Sequence, residues 1–263
     1  MAEKARKSKV SLEVLLFEQG LTPSRERARA LILAGRVLVN EQKVEKPGTA
    51  VVSDSAIRLL GVDPPYVSRG GLKLAEALKH WQIGVQGRAC IDVGTSTGGF
   101  TDCLLQHGAV LVTAIDTGFG QIAMKLRSDA RVRLMERTNA RLLEPGSLAA
   151  RAGEPQPELL VMDVSFISAT MLLGPVLAAA PDLTEAVVLV KPQFEVERGQ
   201  VGKGGIVRDS DAHQDAVEKV ADCVRSLGWE LLGVIDSPIT GAEGNKEFLL
   251  YARRPASGVT AQS

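Results

Sequence analysis

The chain has 263 residues, 45% of them hydrophobic and 24% charged, so it can bury an ordinary core and form one or two domains. Its formal net charge is zero, which excludes a chain that is strongly basic or acidic throughout. The charge is uneven, however, because residues 1–62 hold 11 Lys and Arg against 7 Asp and Glu, a net charge of +4, and the remainder carries −4. The basic N-terminal part predicts an acidic partner for that part of the chain.

The cysteines, histidines and apolar stretches argue against a metal site and a membrane segment. Cys90, Cys103 and Cys223 are odd in number and lack metal-ligand spacing, which predicts free thiols in a reducing compartment. The three histidines are scattered along the chain. Glu13 and Glu18 interrupt the apolar part of the N-terminus, and ATMLLGPVLAAAPDL is shorter than the ~20 residues of a membrane span. We therefore expect a cytoplasmic protein that uses neither a metal nor a membrane.

The first elements in the chain form a small α+β unit. SLEVLLFEQG predicts a helix that ends at Gly20, and TPSRERARALILAG predicts a second helix that is capped by Ser24 and ends at Gly35. RVLVN and the stretch VEKPGTAVVSDSAIRLL, with its Pro-Gly turn, predict short strands. The expected order is helix, helix and hairpin-like strands.

The second of these helices carries a basic face. Arg25 and Arg29 lie four residues apart on one face, while Ala30, Leu31 and Leu33 can turn inward. A basic helix face beside a turn suits contacts with nucleic-acid phosphates. Charge alone leaves open that this face is merely solvated.

The pattern of this region is more specific than its charge. SRERARALILAGRVLVN, followed by KPGTAV, resembles the small RNA-binding domain first seen in ribosomal protein S4. The resemblance covers about fifty residues, and it implies that residues 1–62 bind RNA. The basic side chains that we expect to contact RNA are Arg25, Arg29 and Arg36.

Two prolines in GVDPPYVS predict a linker over residues 63–68, followed by a second domain over 69–254 and a tail over 255–263. Asp63-Pro64-Pro65-Tyr66 matches a motif with which amino-methyltransferases hold an exocyclic amine. It precedes the glycine-rich loop described below, whereas the position after the fourth strand of the second domain holds MDVSFIS. We therefore interpret Asp-Pro-Pro-Tyr as part of the linker.

The second domain alternates apolar runs with helical stretches, which predicts an α/β fold with a mainly parallel sheet. Seven runs are the predicted strands, and the last two can form an antiparallel pair: RACIDV, AVLVTAID, RVRLME, PELLVMD, AVVLVK, WELLGVID and KEFLLYA.

A loop rich in glycine, DVGTSTGGF, follows the first of these strands, where doubly wound sheets bind ligands. It is neither a phosphate-binding loop nor a dinucleotide fingerprint, since no Lys-Ser/Thr pair follows and the glycine spacing differs. Asp116 ends the second strand, where an acid can accept hydrogen bonds from a ribose. This combination favours a nucleoside-like cofactor such as S-adenosylmethionine over NAD, although a glycine-rich turn can also be purely structural. Asn139, after the third strand, is either an adenine contact or a turn residue. The candidate cofactor-binding residues are Asp92, Gly94, Thr95, Ser96, Gly98, Gly99, Phe100, Asp116 and Asn139.

Four charged residues lie at strand ends or helix starts: Lys73, Asp163, Lys191 and Glu247. Strand ends at one edge of a parallel sheet converge, so the last three can share a site. A lysine after the apolar run AVVLV is costly to bury unless it is paired or functional. A single charge at a strand end is often only solvated, but four in this arrangement predict a site.

The motifs YVSRGGLKL, DVGTSTGGFTD, AIDTGFGQ, MDVSFIS, VKPQFE and GNKEF together resemble the TlyA family, over nearly the whole chain and in the family's order. This family, once called hemolysins, joins an S4-type domain to an FtsJ-type, Rossmann-like methyltransferase domain with a seven-stranded sheet. The resemblance implies S-adenosylmethionine-dependent 2′-O-methylation of cytidine in ribosomal RNA of the large subunit, or of both subunits. It also implies that Lys73, Asp163, Lys191 and Glu247 form the catalytic tetrad.

The tetrad suits this reaction because a ribose 2′-hydroxyl must lose its proton as it attacks a methyl group. Lys191 is the candidate base, with Lys73 beside it and Asp163 and Glu247 orienting the two amines. Alternatively, Lys191 stays charged and stabilises the developing alkoxide. No metal is required, because the cofactor's sulfonium is already activated.

Three further interpretations stay open at the level of sequence. The Gly-rich, basic segment 198–209 can be a mobile lid or a loop that contacts RNA. The chain can be an RNA-binding module with an inactive methyltransferase domain, or a membrane-lytic protein as the old family label suggests.

Overall fold

The computed structural model describes residues 9–22, 24–60, 65–241 and 243–255. The chain folds into two compact units, Met1–Asp63 and Pro64–Ser263. Residues 63 and 64 of the predicted linker, including the start of Asp-Pro-Pro-Tyr, lie outside the described residues, as does the predicted tail from residue 256 onward. The domain bounds that we derived from the sequence therefore stay a prediction.

The first unit has the predicted α+β character. Ser24 caps the second helix, because its Oγ accepts a hydrogen bond from the Arg27 backbone N–H at 3.2 Å. Strand β2 pairs with β3 and β5, and β1 pairs with β4, all antiparallel. The bounds are β1 Lys9–Ser11, α1 Leu12–Glu18, α2 Arg25–Leu33, β2 Val37–Val39, β3 Gln42–Lys43, β4 Ala50–Val52 and β5 Ile57–Leu59.

One prediction about α2 is wrong. The residues that face the core of this unit are Ala28, Leu31 and Ile32, whereas Ala30 is exposed and Leu33 is 67% exposed. The reason is the helical period: Leu33 follows Arg25 by eight residues and therefore lies on the basic face, on the side of the helix away from the core.

The second unit contains the predicted mainly parallel seven-stranded sheet, so the predicted fold class is confirmed. The strand order is β11-β12-β10-β9-β6-β7-β8, with β12 antiparallel to both β10 and β11. The strands are β6 Ala89–Val93, β7 Leu111–Ile115, β8 Val132–Met135, β9 Pro157–Met162, β10 Glu185–Val190, β11 Glu230–Asp236 and β12 Phe248–Arg253.

Helices cover both faces of this sheet. The central strands are buried on both sides, so alternate residues enter different cores: Leu159 packs with α3 and α4, and Leu160 packs with α6 and α8. Cys90 and Cys103 are buried and Cys223 is half-buried, and all three are free thiols. The helices are α3 Gly70–His80, α4 Gly99–Gln106, α5 Met124–Arg127, α6 Thr170–Ala179, α7 Pro192–Glu195 and α8 Ser210–Ser226.

The sheet order gathers the ends of several strands at one place. After β8 the chain crosses back to β9 on the other side of β6, which creates a topological switch point between β6 and β9. Val93 is in register with Ile115 and with Met162, so the loops after β6, β7 and β9 begin side by side. Val190 is in register with Phe248, which brings the end of β10 next to the start of β12.

Candidate active site

The glycines after β6 allow other parts of the protein to pack closely on the loop. Gly94 has φ +86°, and a Cβ there would lie 2.3 Å from the backbone carbonyl oxygen of Asp163. A Cβ on Gly99 would lie 2.3 Å from Ser68 Oγ and 2.9 Å from the backbone nitrogen of Gly71. Glycine is thus needed at both positions because the loop after β9 and the start of α3 press against the backbone. These segments carry Asp163 and Lys73, so the glycine loop helps to position both residues.

Asp116, after β7, organises one wall of a cavity. Its Oδ2 accepts a hydrogen bond from the Ser96 backbone N–H at 2.7 Å, and its Oδ1 accepts one from the Gly118 N–H at 2.6 Å. We call the cavity at these strand ends the strand-end cavity. It has a volume of about 390 Å³ and is also lined by Asn139. The Asn139 Oδ1 accepts a hydrogen bond from the Arg141 N–H at 3.1 Å, so this side chain also caps a short 3₁₀ turn. Each Asp116 oxygen keeps a lone pair that can accept a further hydrogen bond.

Asp92 lies beneath the loop and does not line the cavity. It is fully buried, and its Oδ2 accepts a hydrogen bond from Thr101 Oγ1 at 2.6 Å. Burial raises the pKa of the Asp92 carboxyl to about 7; the Thr101 hydrogen bond opposes this rise, and the negative charge of Asp163 adds to it. The sequence pattern placed Asp92 among the cofactor contacts, whereas its position in the structure is that of a buried support for the loop.

The four charged candidates form two ion pairs. Lys73, on α3, pairs with Glu247 just before β12, and both side chains are buried. Lys191, at the end of β10, pairs with Asp163 after β9, with 2.6 Å between Lys191 Nζ and Asp163 Oδ1. The Lys191 side chain is 11% exposed and that of Asp163 is 19% exposed. Each carboxylate therefore holds one of the two amines, the arrangement that we proposed from the sequence.

A second cavity, the lysine cavity, adjoins the strand-end cavity and has a volume of about 400 Å³. Lys73 and Lys191 line it, and Asp163 lines both cavities. Among the candidate cofactor residues, Gly94 and Ser96 line both cavities. Thr95, Gly99 and Phe100 line only the lysine cavity, and Asp116 and Asn139 line only the strand-end cavity.

Gly98 lines neither of these cavities. It has φ +97°, and a Cβ there would lie 2.3 Å from Leu126 Cδ1, so its role in the structure is close packing against α5. We infer that Gly98 supports the loop on the side that faces α5, away from the two cavities.

The loop between β9 and α6 contributes residues that the sequence did not single out. Ser165 Oγ accepts a hydrogen bond from Lys191 Nζ at 2.8 Å. Phe166 has φ +65°, is 92% exposed, and its ring lies 5.4 Å from that of Phe194 between centroids. These two rings line a third cavity of about 440 Å³, the aromatic cavity, together with Lys73 and Lys191. The sequence carried no specific signal for these residues, apart from their closeness to Asp163 after a buried strand.

Glu195, in the VKPQFE stretch, fastens this loop to the segment that carries Lys191. The Glu195 carboxylate accepts hydrogen bonds from Ser168 Oγ and from the Ala169 backbone N–H, the latter at 2.7 Å. Burial raises the pKa of the Glu195 carboxyl, while these hydrogen bonds lower it. The Glu195 side chain thus holds the start of α6 against α7.

Comparisons with known proteins follow the same division of the chain. The model of the FtsJ-like methyltransferase family matches residues 66–254, and that of the S4 domain matches residues 10–57. The chain belongs to the FtsJ-like methyltransferase family. Its predicted membership of the TlyA family is also confirmed by the relatives described next.

Two relatives and one solved structure cover most of the chain. The 16S/23S rRNA (cytidine-2′-O)-methyltransferase TlyA of Mycobacterium tuberculosis strain H37Rv is 44% identical over 95% of this chain and 91% of its own length. The 23S rRNA (cytidine-2′-O)-methyltransferase TlyA of Campylobacter jejuni is 37% identical over 71% of this chain and 70% of its own length. A hemolysin-named structure from Streptococcus thermophilus is 40% identical, covers 95% of this chain and 90% of that chain, and has a TM-score of 0.69.

The predicted RNA contacts lie in the S4 domain. Arg25, Arg29 and Arg36 are all exposed, the first two on α2 and the third just before β2. Their contact with RNA remains a prediction.

The segment 198–209 of the methyltransferase domain is fastened by a buried amide. Asn245, 1% exposed, accepts a hydrogen bond from the Val207 N–H at 2.9 Å and donates one to the Gly205 carbonyl oxygen at 2.8 Å. Asn245 stands two residues before Glu247, so this loop is connected to the Lys73–Glu247 pair. These two hydrogen bonds fasten the Gly205–Val207 part of the segment, and both interpretations, a mobile lid and a loop that contacts RNA, stay predictions.

Neither a membrane span nor a metal cluster is found in the part of the chain that the structure describes. No helix there is long and apolar enough to cross a bilayer. Likewise, no group of three or more His, Cys, Asp and Glu side chains within the described ranges could hold a metal ion.

Proposed function

We propose that this chain methylates the ribose 2′-hydroxyl of a cytidine in ribosomal RNA, with S-adenosylmethionine as the methyl donor. The observation that carries the proposal is the pair of lysine–carboxylate contacts beside the cavity formed by the glycine loop. The choice of cytidine and of ribosomal RNA is supported by the activities in the names of the TlyA relatives.

The strand-end cavity fits the nucleoside part of this cofactor. Its volume of about 390 Å³ lies within the usual range for small-molecule sites. Asp116 is held by two backbone N–H groups and keeps acceptor capacity for the ribose hydroxyls, and Asn139 lines the same cavity, where we expect it to contact the adenine. When bound, S-adenosylmethionine supplies a methyl group on a positively charged sulfur, activated for transfer to an oxygen nucleophile.

The residues of the lysine cavity would act on the target hydroxyl. Lys191 lines this cavity but not the strand-end cavity, so it faces the substrate side of the site. Asp163 lines both cavities and holds Lys191 at 2.6 Å, which fixes the amine at the boundary between them. The buried pair of Lys73 with Glu247 adds a second positive charge, whose carboxylate partner keeps it in place. Holding the reacting atoms in line accounts for much of the acceleration expected of such a site.

Lys191 can act on the 2′-hydroxyl in two ways. As a neutral amine it would accept the proton, and as an ammonium it would stabilise the negative charge that develops on the oxygen. In the structure Lys191 Nζ forms an ion pair with Asp163 and a hydrogen bond with Ser165 Oγ, and these contacts are compatible with either role.

The S4 domain would supply most of the affinity for RNA. Residues 1–62 carry a net charge of +4, whereas the remainder of the chain carries −4, so the catalytic domain gains little from the phosphates by itself. The exposed arginines of the S4 domain are the side chains we expect to pair with phosphate groups.

A methylation assay tests this function. The purified chain is incubated with isotope-labelled S-adenosylmethionine and separately with small and large ribosomal subunits that lack the modification. The RNA is then digested to nucleosides and analysed by mass spectrometry. We expect label in 2′-O-methylcytidine, with bulk transfer RNA unlabelled as the control. Label on a base, label on another nucleoside, or no label in either subunit would contradict the proposal.

A further inference from the structure

The loop that carries Asp163 also brings a hydroxyl group to Lys191. Ser165 Oγ lies 2.8 Å from Lys191 Nζ, and Asp163 Oδ1 lies 2.6 Å from the same nitrogen. The Asp163 contact is an ion pair without hydrogen-bond geometry, so the Ser165 hydroxyl is the acceptor that directs an N–H of Lys191 among the described residues. The two contacts come from residues only two positions apart in the chain, on one loop.

Ser165 stands at the junction of the whole site. Among the described residues it alone lines the strand-end, lysine and aromatic cavities. The hydroxyl therefore lies where the cofactor side and the substrate side of the site meet.

Within the described residues, the Ser165 hydroxyl makes no hydrogen bond that stabilises the loop itself. Its contact with Lys191 is the only hydrogen bond of this side chain found within the described residues, and the residue is exposed. Ser168, in the same loop, differs: its Oγ bonds to Glu195 and lies 2.6 Å from Thr170 Oγ1. The Ser168 hydroxyl thus holds the loop together, whereas the Ser165 hydroxyl contacts Lys191.

We propose that Ser165 is a positioning residue for methyl transfer, whose hydroxyl fixes the direction of Lys191 Nζ so that the amine meets the target oxygen. The identity of that oxygen, a ribose 2′-hydroxyl, rests on the proposed function. A lysine amine on a flexible four-carbon stem can rotate about a single ion pair, and a second acceptor from another direction removes that freedom. Accurate placement matters because a displacement of about 1 Å can reduce a rate by roughly 100-fold.

Kinetics with a matched pair of variants tests the proposal. Ser165→Ala should lower kcat for methyl transfer by roughly 10- to 100-fold and leave KM for S-adenosylmethionine within about twofold, since the residue acts through Lys191. Ser165→Thr keeps the hydroxyl and should recover most of kcat. Ser168→Ala, which loosens the same loop without touching Lys191, should lower kcat less than Ser165→Ala does. An unchanged kcat in Ser165→Ala, a failure of Thr to rescue, or an equal loss in Ser168→Ala would overturn the proposal.

A second measurement does not depend on activity. Nitrogen-15 NMR of the lysine ammonium groups, with the Lys191 signal assigned from Lys191→Arg, reports how fast the Lys191 N–H protons exchange with water. Loss of one acceptor should speed this exchange by about tenfold in Ser165→Ala and leave it unchanged in Ser168→Ala. Unchanged exchange in Ser165→Ala would overturn the contact on which the proposal depends. If the wild type transfers no methyl group to RNA, the proposed function fails, and this measurement still decides whether Ser165 holds Lys191.

Discussion

Replacement of Asp116 by alanine should weaken the binding of S-adenosylmethionine by at least about tenfold. The carboxylate accepts hydrogen bonds from two backbone N–H groups, those of Ser96 at 2.7 Å and Gly118 at 2.6 Å. We propose that it also accepts hydrogen bonds from the ribose hydroxyls. A hydrogen bond to a charged group contributes roughly 1.5–3 kcal/mol, so loss of the ribose contact alone reduces affinity by about 10- to 150-fold. Loss of the two backbone contacts loosens the wall of the cavity and should also lower the melting temperature.

Because alanine removes both kinds of contact, a cofactor analogue is needed to separate them. Isothermal titration calorimetry would compare S-adenosylmethionine with its 2′,3′-dideoxy analogue, on the wild type and on Asp116→Ala. If Asp116 binds the ribose, the wild type should prefer the hydroxylated ligand by about tenfold or more, and the variant should bind both equally well. Asp129→Ala is the matched control, since the Asp129 carboxylate also accepts a backbone N–H, from Arg131 at 2.9 Å, but lines neither neighbouring cavity. An undiminished preference for the hydroxylated ligand in Asp116→Ala would refute the assignment.

Two further predictions concern the buried acid and the basic helix. The pKa of the Asp92 carboxyl is raised to about 7 from an ordinary value of 3.8. As the pH rises from about 4 to 7, this carboxyl ionises in the unfolded chain while it stays protonated in the folded one. The free energy of unfolding should therefore decrease over this range, by roughly 4 kcal/mol. Asp92→Asn should remove that fall in urea titrations followed by the fluorescence of the two tryptophans, and an unaltered pH dependence would contradict the cause we give. Arg25→Ala combined with Arg29→Ala should weaken RNA binding and reduce the slope of log affinity against log salt by about two, as measured by fluorescence anisotropy. A slope equal to that of the wild type would show that these arginines do not contact phosphates.

The fold could be predicted well where burial leaves a strong pattern. All seven strands of the large sheet correspond to predicted runs, and the pattern is strongest in the central strands, which helices cover on both faces and which are therefore almost wholly apolar. Two short strands, Lys9–Ser11 and Gln42–Lys43, were not predicted, and Lys9–Ser11 gains its partner only through a distant pairing with Ala50–Val52. Leu33 was placed inward by composition, whereas its helical phase puts it with the arginines.

The sequence predicted which residues form the candidate site, but not which lysine pairs with which carboxylate. Strand-end positions suggested that Asp163, Lys191 and Glu247 converge, but the partner of each lysine depends on the sheet order, in which β12 lies next to β10. Ser165 escaped notice because a single exposed serine in a loop carries no pattern. Asp92 was assigned to the cavity from its motif, and only the structure shows that it lies beneath the loop.

The rate of methyl transfer by Lys191→Ala tests the central claim most directly. Lys191 is held by Asp163 and Ser165 and lines the lysine cavity, so both roles that we consider for it predict a loss of roughly 10²- to 10⁴-fold. Single-turnover methylation of the ribosomal subunit, with cofactor affinity measured alongside, should show this loss while affinity stays within a few fold. Lys191→Arg keeps the charge but cannot be deprotonated, so partial activity in that variant would favour charge stabilisation over base catalysis. Methylation by Lys191→Ala at close to the wild-type rate would contradict the account, since Lys191 would then be only a charged residue at the end of a strand.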